Sequence, residues 1–177
     1  MTPQNHFVLR RLCATLVLFF ALALYDAVIG GAIAALLKSD GFTALDQRIN
    51  NVHQLGYGLL ATGALLWYYL RVRHLLPVLA LAVLFAGLVE DTLFYVLISV
   101  CNPLIKTITG GARYHSAGGE WMPQEVSGWM GWIGRMAAGQ NLALARSEVF
   151  AVNGIAIGLA IILLLRYARA MKPGSGS

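Results

Sequence analysis

Four stretches of this chain are apolar for long enough, or nearly long enough, to cross a lipid bilayer. That constrains the fold more than any other feature. A spanning helix needs about 20 mostly apolar residues, and the stretches run over about residues 12–37, 53–70, 75–101 and 148–165. Hydrocarbon offers no partner for backbone N–H and C=O groups, so such segments cross as helices that satisfy their bonds internally. Composition agrees. Of the 177 residues, 58% are hydrophobic and 12% charged, whereas a soluble domain carries roughly 25% charged residues. Mean hydropathy is +0.68. The expected fold is an all-α integral membrane protein, a four transmembrane helix bundle with a long outer loop containing an interfacial helix. Residues 1–172 would form this single transmembrane domain, with the loop at 102–147, and 173–177 read as an appended flexible tail. Arg10 and Arg11 precede the first apolar run as they would in a signal peptide. That run exceeds the roughly 7–15 residues of a signal core, so a retained span is the reading.

Orientation follows from the basic residues. Arg10, Arg11, Arg71, Arg73, Arg166, Arg169 and Lys172 share one side of a four-span chain, with no acidic residue among them. The other side mixes Lys38, Arg48, Lys106, Arg113, Arg135 and Arg146 with Asp40, Asp46, Glu120 and Glu125. Both termini are therefore expected in the cytoplasm, in a multi-pass cell-membrane protein. The net charge of +5 is topological and not a nucleic-acid face, because the basic residues border apolar segments. Cys13 and Cys101 form no CxxC and no metal-ligand spacing; placed at opposite faces, they disfavour a thiol–disulfide oxidoreductase.

Ionisable residues inside the spans carry the functional signal, since each is costly in hydrocarbon and must find a partner. Asp26 lies in the first span, and Glu90 with Asp91 in the third. Counted at a rise of about 1.5 Å per residue, all three fall roughly 21 Å from the cytoplasmic edge. The same depth lies about one turn from His53 in the second span, and between Glu148 and Asn153 in the fourth. His53, Glu90, Asp91 and Glu148 are thus a candidate ligand set for a divalent metal such as Zn, Fe or Mn. Glu90, Asp91 and Asp26 are equally candidate catalytic acids and bases, because adjacent carboxylates in low dielectric do not both ionise easily. Structural roles compete with these. Glu148 sits near a helix start, where an acid suits the dipole, His53 sits at a span edge, Asp26 could pair with Arg113 or Arg146, and Asn153 suits an interhelical hydrogen bond.

In the outer loop, Trp129, Trp132 and Met136 recur at helical spacing between Glu125 and Ala138. This predicts a helix that either lies on the membrane surface or packs over the bundle mouth. Arg113, His115, Trp129 and Trp132 are candidate substrate or lid residues. Gly30, Gly31, Gly56, Gly58, Gly63, Gly154 and Gly158 are expected to let helices approach closely. Tyr57, Tyr68, Tyr69, Tyr95 and Trp67 read as interface anchors or packing.

The run Glu90-Asp91-Thr92-Leu93-Phe94-Tyr95 resembles the acidic pair followed by aromatics in membrane-bound lycopene cyclases. In that family the pair is Glu-Glu and protonates a polyene, so the resemblance implies a carotenoid-like substrate. The layout is similar to lipoprotein signal peptidase, with four spans, termini inside and acids near the outer surface. That family has an aspartate in its fourth helix where this chain has Phe150-Ala151-Val152-Asn153-Gly154. Two functional expectations follow. The first is a membrane-embedded enzyme acting on a lipidic or isoprenoid substrate through a carboxylate/His site in the outer third of the bilayer. The second is a non-catalytic complex subunit or a small proton- or cation-coupled transporter. Membrane lipid is the expected partner, with a homo-oligomer or a membrane-complex subunit as further candidates.

Overall fold

The computed structural model describes residues 3–37, 44–113, 122–126, 139 and 143–171. It is almost wholly helical. Helix α1 (Pro3–Tyr25) runs through a π turn (Asp26–Gly30) into α2 (Gly31–Leu37). Helix α3 (Ala44–Val72) is followed by α4 (Leu75–Ala86) and α5 (Val89–Ile108). Two short strands, β1 (Glu125–Val126) and β2 (Leu144–Ala145), precede α6 (Arg146–Ala170). Three segments, His6–Leu37, Val89–Ile108 and Arg146–Ala170, are long and apolar enough to cross a membrane. Their outer faces agree, with Val17, Val100 and Ile155 all more than 60% exposed, a pattern that water penalises and lipid does not.

The expected third span, 75–101, is not one helix. The chain breaks after the twelve-residue α4, at Gly87 and Leu88, and Leu88 takes a left-handed conformation (φ 58°). A leucine there costs about 1–2 kcal/mol, and two contacts hold the break in place. Gly87 lies so close to α6 that a Cβ would collide with Ala156. Leu88 is fully buried with Met122, Val126 and Val149. The second half then runs past the expected end and through Pro103 to Ile108.

The break also changes the chain's packing partner. Before it, α4 runs antiparallel to α6, burying Ala80, Leu81 and Leu84 against Ala160 and Tyr167. After it, α5 lies along α1, the π turn and α2, with Ile98 and Ile105 against Ala32 and Ala35. Gly31 makes that approach possible, since a Cβ on it would stand 2.6 Å from Ile98 Cδ1. At the basic end, Arg11 Nη1 donates to the Val72 carbonyl at 3.0 Å and to Tyr167 Oη at 3.1 Å. Arg11 therefore ties α1 to α3 and α6.

Two further expectations change. The loop helix does not begin at Glu125, because Glu125 and Val126 pair antiparallel with Ala145 and Leu144; residues 127–138 lie outside the described set. Gly56, Gly58, Gly63, Gly154 and Gly158 have no atom within 4 Å of where a Cβ would sit, among the described residues. They line outward faces, so close packing falls to Gly30, Gly31 and Gly87.

Candidate functional site

The π turn is what places Asp26. The Gly31 N–H reaches back five residues to the Asp26 carbonyl, a π-type bond that inserts one extra residue into the helix and re-aims its side chains. Asp26 is thereby buried where α5 packs on the turn. From α3, His53 Nε2 meets Asp26 Oδ1 at 3.0 Å, with side-chain exposures of only 7% and 12% for His53 and Asp26. The partner of Asp26 is thus His53, of the same expected layer, and not Arg113 or Arg146, the structural alternatives. Gly30 makes room for the pair: a Cβ on it would lie 2.7 Å from Asp26 Oδ1 and 2.8 Å from His53 Nε2.

One turn along α3 from His53, Tyr57 presents its hydroxyl to the same region, and its ring stacks on Tyr25 with centroids 6.3 Å apart and planes 8° apart. Its hydroxyl feels the charges of Glu90, Asp26 and Asp91. Glu90 is 5% exposed and Asp91 half-buried, both in the first turn of α5. There the open N–H groups and the positive end of the helix dipole offset part of the cost of burying carboxylates. The break at Gly87–Leu88 therefore creates the helix start that the two acids occupy. Glu90 and Tyr57 face one another across α3 and α5, close enough for the phenol to act as a weak hydrogen-bond donor to the carboxyl. Glu90 Oε1 keeps no partner among the described residues.

From α6, Asn153 Nδ2 donates to Thr92 Oγ1 at 2.6 Å, an interhelical bond of the kind expected of it. Glu148 does not join the cluster. It is exposed, and its Oε2 accepts the Ala145 N–H at 2.8 Å, so it caps the start of α6. The reason is local: an acid in the first turn of a helix satisfies an orphan donor there more cheaply than it reaches the bundle interior. Arg113 is exposed at the end of the described chain after α5, and His115, Trp129 and Trp132 lie outside the described residues. Among the described residues no three His, Cys, Asp or Glu side chains converge closely enough to hold a metal ion. The expected set of His53, Glu90, Asp91 and Glu148 is accordingly not assembled as a metal centre.

The arrangement is an imidazole–carboxylate pair (His53, Asp26) beside a second carboxyl and a phenol (Glu90, Tyr57), with Asp91 adjoining. Such a group can accept, store and return protons out of contact with bulk water. Tyr57 was missed as a site residue. The spacing His53-x-x-x-Tyr57 carried the signal, because residues four apart share a helix face. Comparison with protein-family models, curated proteins and solved structures returned no match.

Proposed function

We propose that this chain is a membrane-embedded enzyme performing acid–base chemistry on a lipidic or isoprenoid substrate, built as a four-pass bundle with both termini cytoplasmic. The observation that carries the reading is the buried His53–Asp26 pair, set beside Glu90 and Tyr57, which face one another while Glu90 Oε1 keeps no partner among the described residues. Structural ion pairs in membranes use their groups fully, because an unsatisfied polar atom costs about 1–3 kcal/mol when buried. With Nε2 on Asp26, His53 would exchange its proton through Nδ1, Asp26 fixing the tautomer. Glu90 would serve as the complementary acid, and Tyr57 would relay or orient.

The four-pass arrangement rests on lengths. The apolar part of α3, residues 55–72, extends roughly 27 Å at helical rise, close to the hydrocarbon thickness of about 30 Å. Helix α4 alone covers roughly 18 Å, so α4 and α5 together would make one interrupted crossing. The interruption itself favours a second reading, a proton-coupled transporter, because broken helices with a half-helix start at an ion site are a transporter device.

Incubation of the reconstituted protein with total membrane lipid, followed by mass spectrometry, separates the two. A lipid consumed by the wild type and spared by Glu90→Gln, Asp26→Asn and His53→Gln is the expected result. Unchanged lipids together with Glu90-dependent proton uptake into proteoliposomes would overturn the enzyme in favour of the transporter.

A further inference from the structure

The end of the bundle away from Asp26 gathers positive charge that the fold does not neutralise. Arg11 of α1 joins two other helices there, through its Nη1 bonds to the Val72 carbonyl of α3 and to Tyr167 Oη of α6. Arg10 adjoins Arg11, Arg71 and Arg73 flank Val72, and Arg166 and Arg169 lie within two residues of Tyr167. Six arginines on three helices thus surround one junction, and all but the half-buried Arg11 are exposed. The eight acidic residues lie at 26–46 and 90–148, so none stands in the segments that carry these arginines. Helix dipoles do not compensate either. Helices α3 and α6 end here with about half a negative charge each, and α1 and α4 begin here with about half a positive charge each. A bias of basic residues toward one membrane face accounts for the side they occupy and leaves open what balances their charge.

We propose that this junction binds the phosphate of an anionic phospholipid, whose acyl chains lie against the outer faces of α3 and α6. Two of the arginines are held in place by the protein itself. Arg11 is fixed by its two bonds and by the Phe7 ring, 4.2 Å from its guanidinium carbon, and Arg73 Nε donates to the Leu70 carbonyl at 3.1 Å. Side chains ordered beforehand lose less entropy when a ligand arrives. Both bonds of Arg11 use Nη1, so Nη2 and Nε have no acceptor among the described residues. Their three N–H groups are the planar fork that suits a phosphate. Position decides for a lipid over a soluble phosphate. Arg10 and Arg11 stand near one end of the His6–Leu37 segment, and Arg166 and Arg169 near one end of Arg146–Ala170, which is the level of headgroups. Trp67 and Tyr69, of the aromatic types that favour that level, are exposed on α3, and Arg71 lies 5.8 Å from the Trp67 ring. Leu66, Leu70 and Leu165 are exposed beside them and offer acyl chains an apolar surface. Arg11 precedes Asp26 by fifteen residues, roughly 22 Å at helical rise, so the junction neither uses nor depends on the acid–base site.

The test is native mass spectrometry of the detergent-purified protein titrated with short-chain phosphatidylglycerol, short-chain phosphatidylcholine and glycerol phosphate. Helical content and melting temperature verify the fold of each variant. Phosphatidylglycerol is expected to bind saturably, at least about tenfold more tightly than phosphatidylcholine. The double variant Arg71→Gln, Arg166→Gln removes two exposed charges at the junction and should weaken that binding at least about tenfold. The double variant Arg48→Gln, Lys106→Gln removes as much charge from exposed positions at the other end and should leave binding unchanged. Equal weakening in the two double variants would reduce the effect to diffuse attraction and overturn the site. Phosphatidylcholine bound as tightly as phosphatidylglycerol would overturn it too. Glycerol phosphate bound as tightly as the lipid would assign the junction to a soluble anion and overturn the lipid. Should the junction double variant fail to fold, Arg71→Gln and Arg166→Gln singly carry the same comparison. Each of these outcomes is independent of the lipid-conversion assay.

Discussion

At the scale of the residue, Gly30 shows how little space the site has. A Cβ there meets both partners of the His53–Asp26 bond below 3 Å, and neither is the loose end of a long side chain. Gly30→Ala gains about 1 kcal/mol of helix propensity and meets an overpacking cost of about 1–3 kcal/mol, so the clash should win. We expect a lower melting temperature and loss of whichever activity depends on the pair. Gly56→Ala, on an open face with nothing within 4 Å, should be neutral or slightly stabilising. Equal melting temperatures for the two variants would show that Gly30 is not a spacer. His53→Ala is predicted to cost more than Asn153→Ala in thermal denaturation, because it strands a buried carboxylate whereas the latter strands only the Thr92 hydroxyl. Asp26→Asn should recover part of the His53→Ala loss, and no recovery would count against a charge-based pair. His53 and Asp26 were both legible in the sequence as ionisable groups in apolar surroundings. Their direct pairing was not, because depth along the spans put them only in one polar layer, with Arg113 and Arg146 as alternative partners for Asp26.

At the scale of the element, the decisive feature is the break between α4 and α5. In the run Leu75–Cys101 only Gly87 and the acidic pair Glu90-Asp91 mark it, and neither breaks the apolar count that makes the run read as one span. Leucine gives no hint of a left-handed backbone, and the conformation at Leu88 is imposed by the pocket of Met122, Val126 and Val149. Two effects oppose one another at Leu88. Truncation to alanine removes packing worth about 2–5 kcal/mol and keeps the backbone strain. Truncation to glycine removes the same packing and relieves about 1 kcal/mol. Leu88→Gly should therefore melt higher than Leu88→Ala, although both fall below the wild type; the reverse order would mean that Leu88 is not strained. Gly87→Ala should destabilise by about 1–3 kcal/mol, and adding Ala156→Gly should restore much of the loss. A simple sum of the two single effects would indicate that α4 and α6 do not touch at this point.

At the scale of the whole molecule, the proposed topology places α1, α3, α4–α5 and α6 as four crossings, while three segments among the described residues meet the length and hydropathy of a span outright. An even number of crossings puts the termini on one side, and three would put them on opposite sides. In a Cys13→Ser, Cys101→Ser background, single cysteines at His6 and Arg169 should react with a membrane-impermeant maleimide from the cytoplasmic side. A cysteine at Arg113 should react from the other. Labelling of His6 and Arg169 from opposite faces would reduce the count to three. The architecture also explains why the site lies where it does: at the break α5 leaves α6 and joins the N-terminal segment, and the start of α5 carries its acids into the junction.

What the sequence by itself determined was the solvent of this protein, its helical class and the identity of its costly residues. Each follows from local composition: apolar runs too long for a soluble domain, and ionisable groups too deep to be incidental. Only the tertiary structure decided which of those residues meet. It paired Asp26 with His53 through a π turn, set Tyr57 beside Glu90, and left Glu148 as the cap of α6. It also broke an apolar run in two and so gave Glu90 and Asp91 a helix start. The physical reason is common to all of these. Burial cost is a property of a residue in its segment, whereas partnership, backbone strain and helix breaks depend on which surfaces pack, and that is settled between segments far apart in the chain.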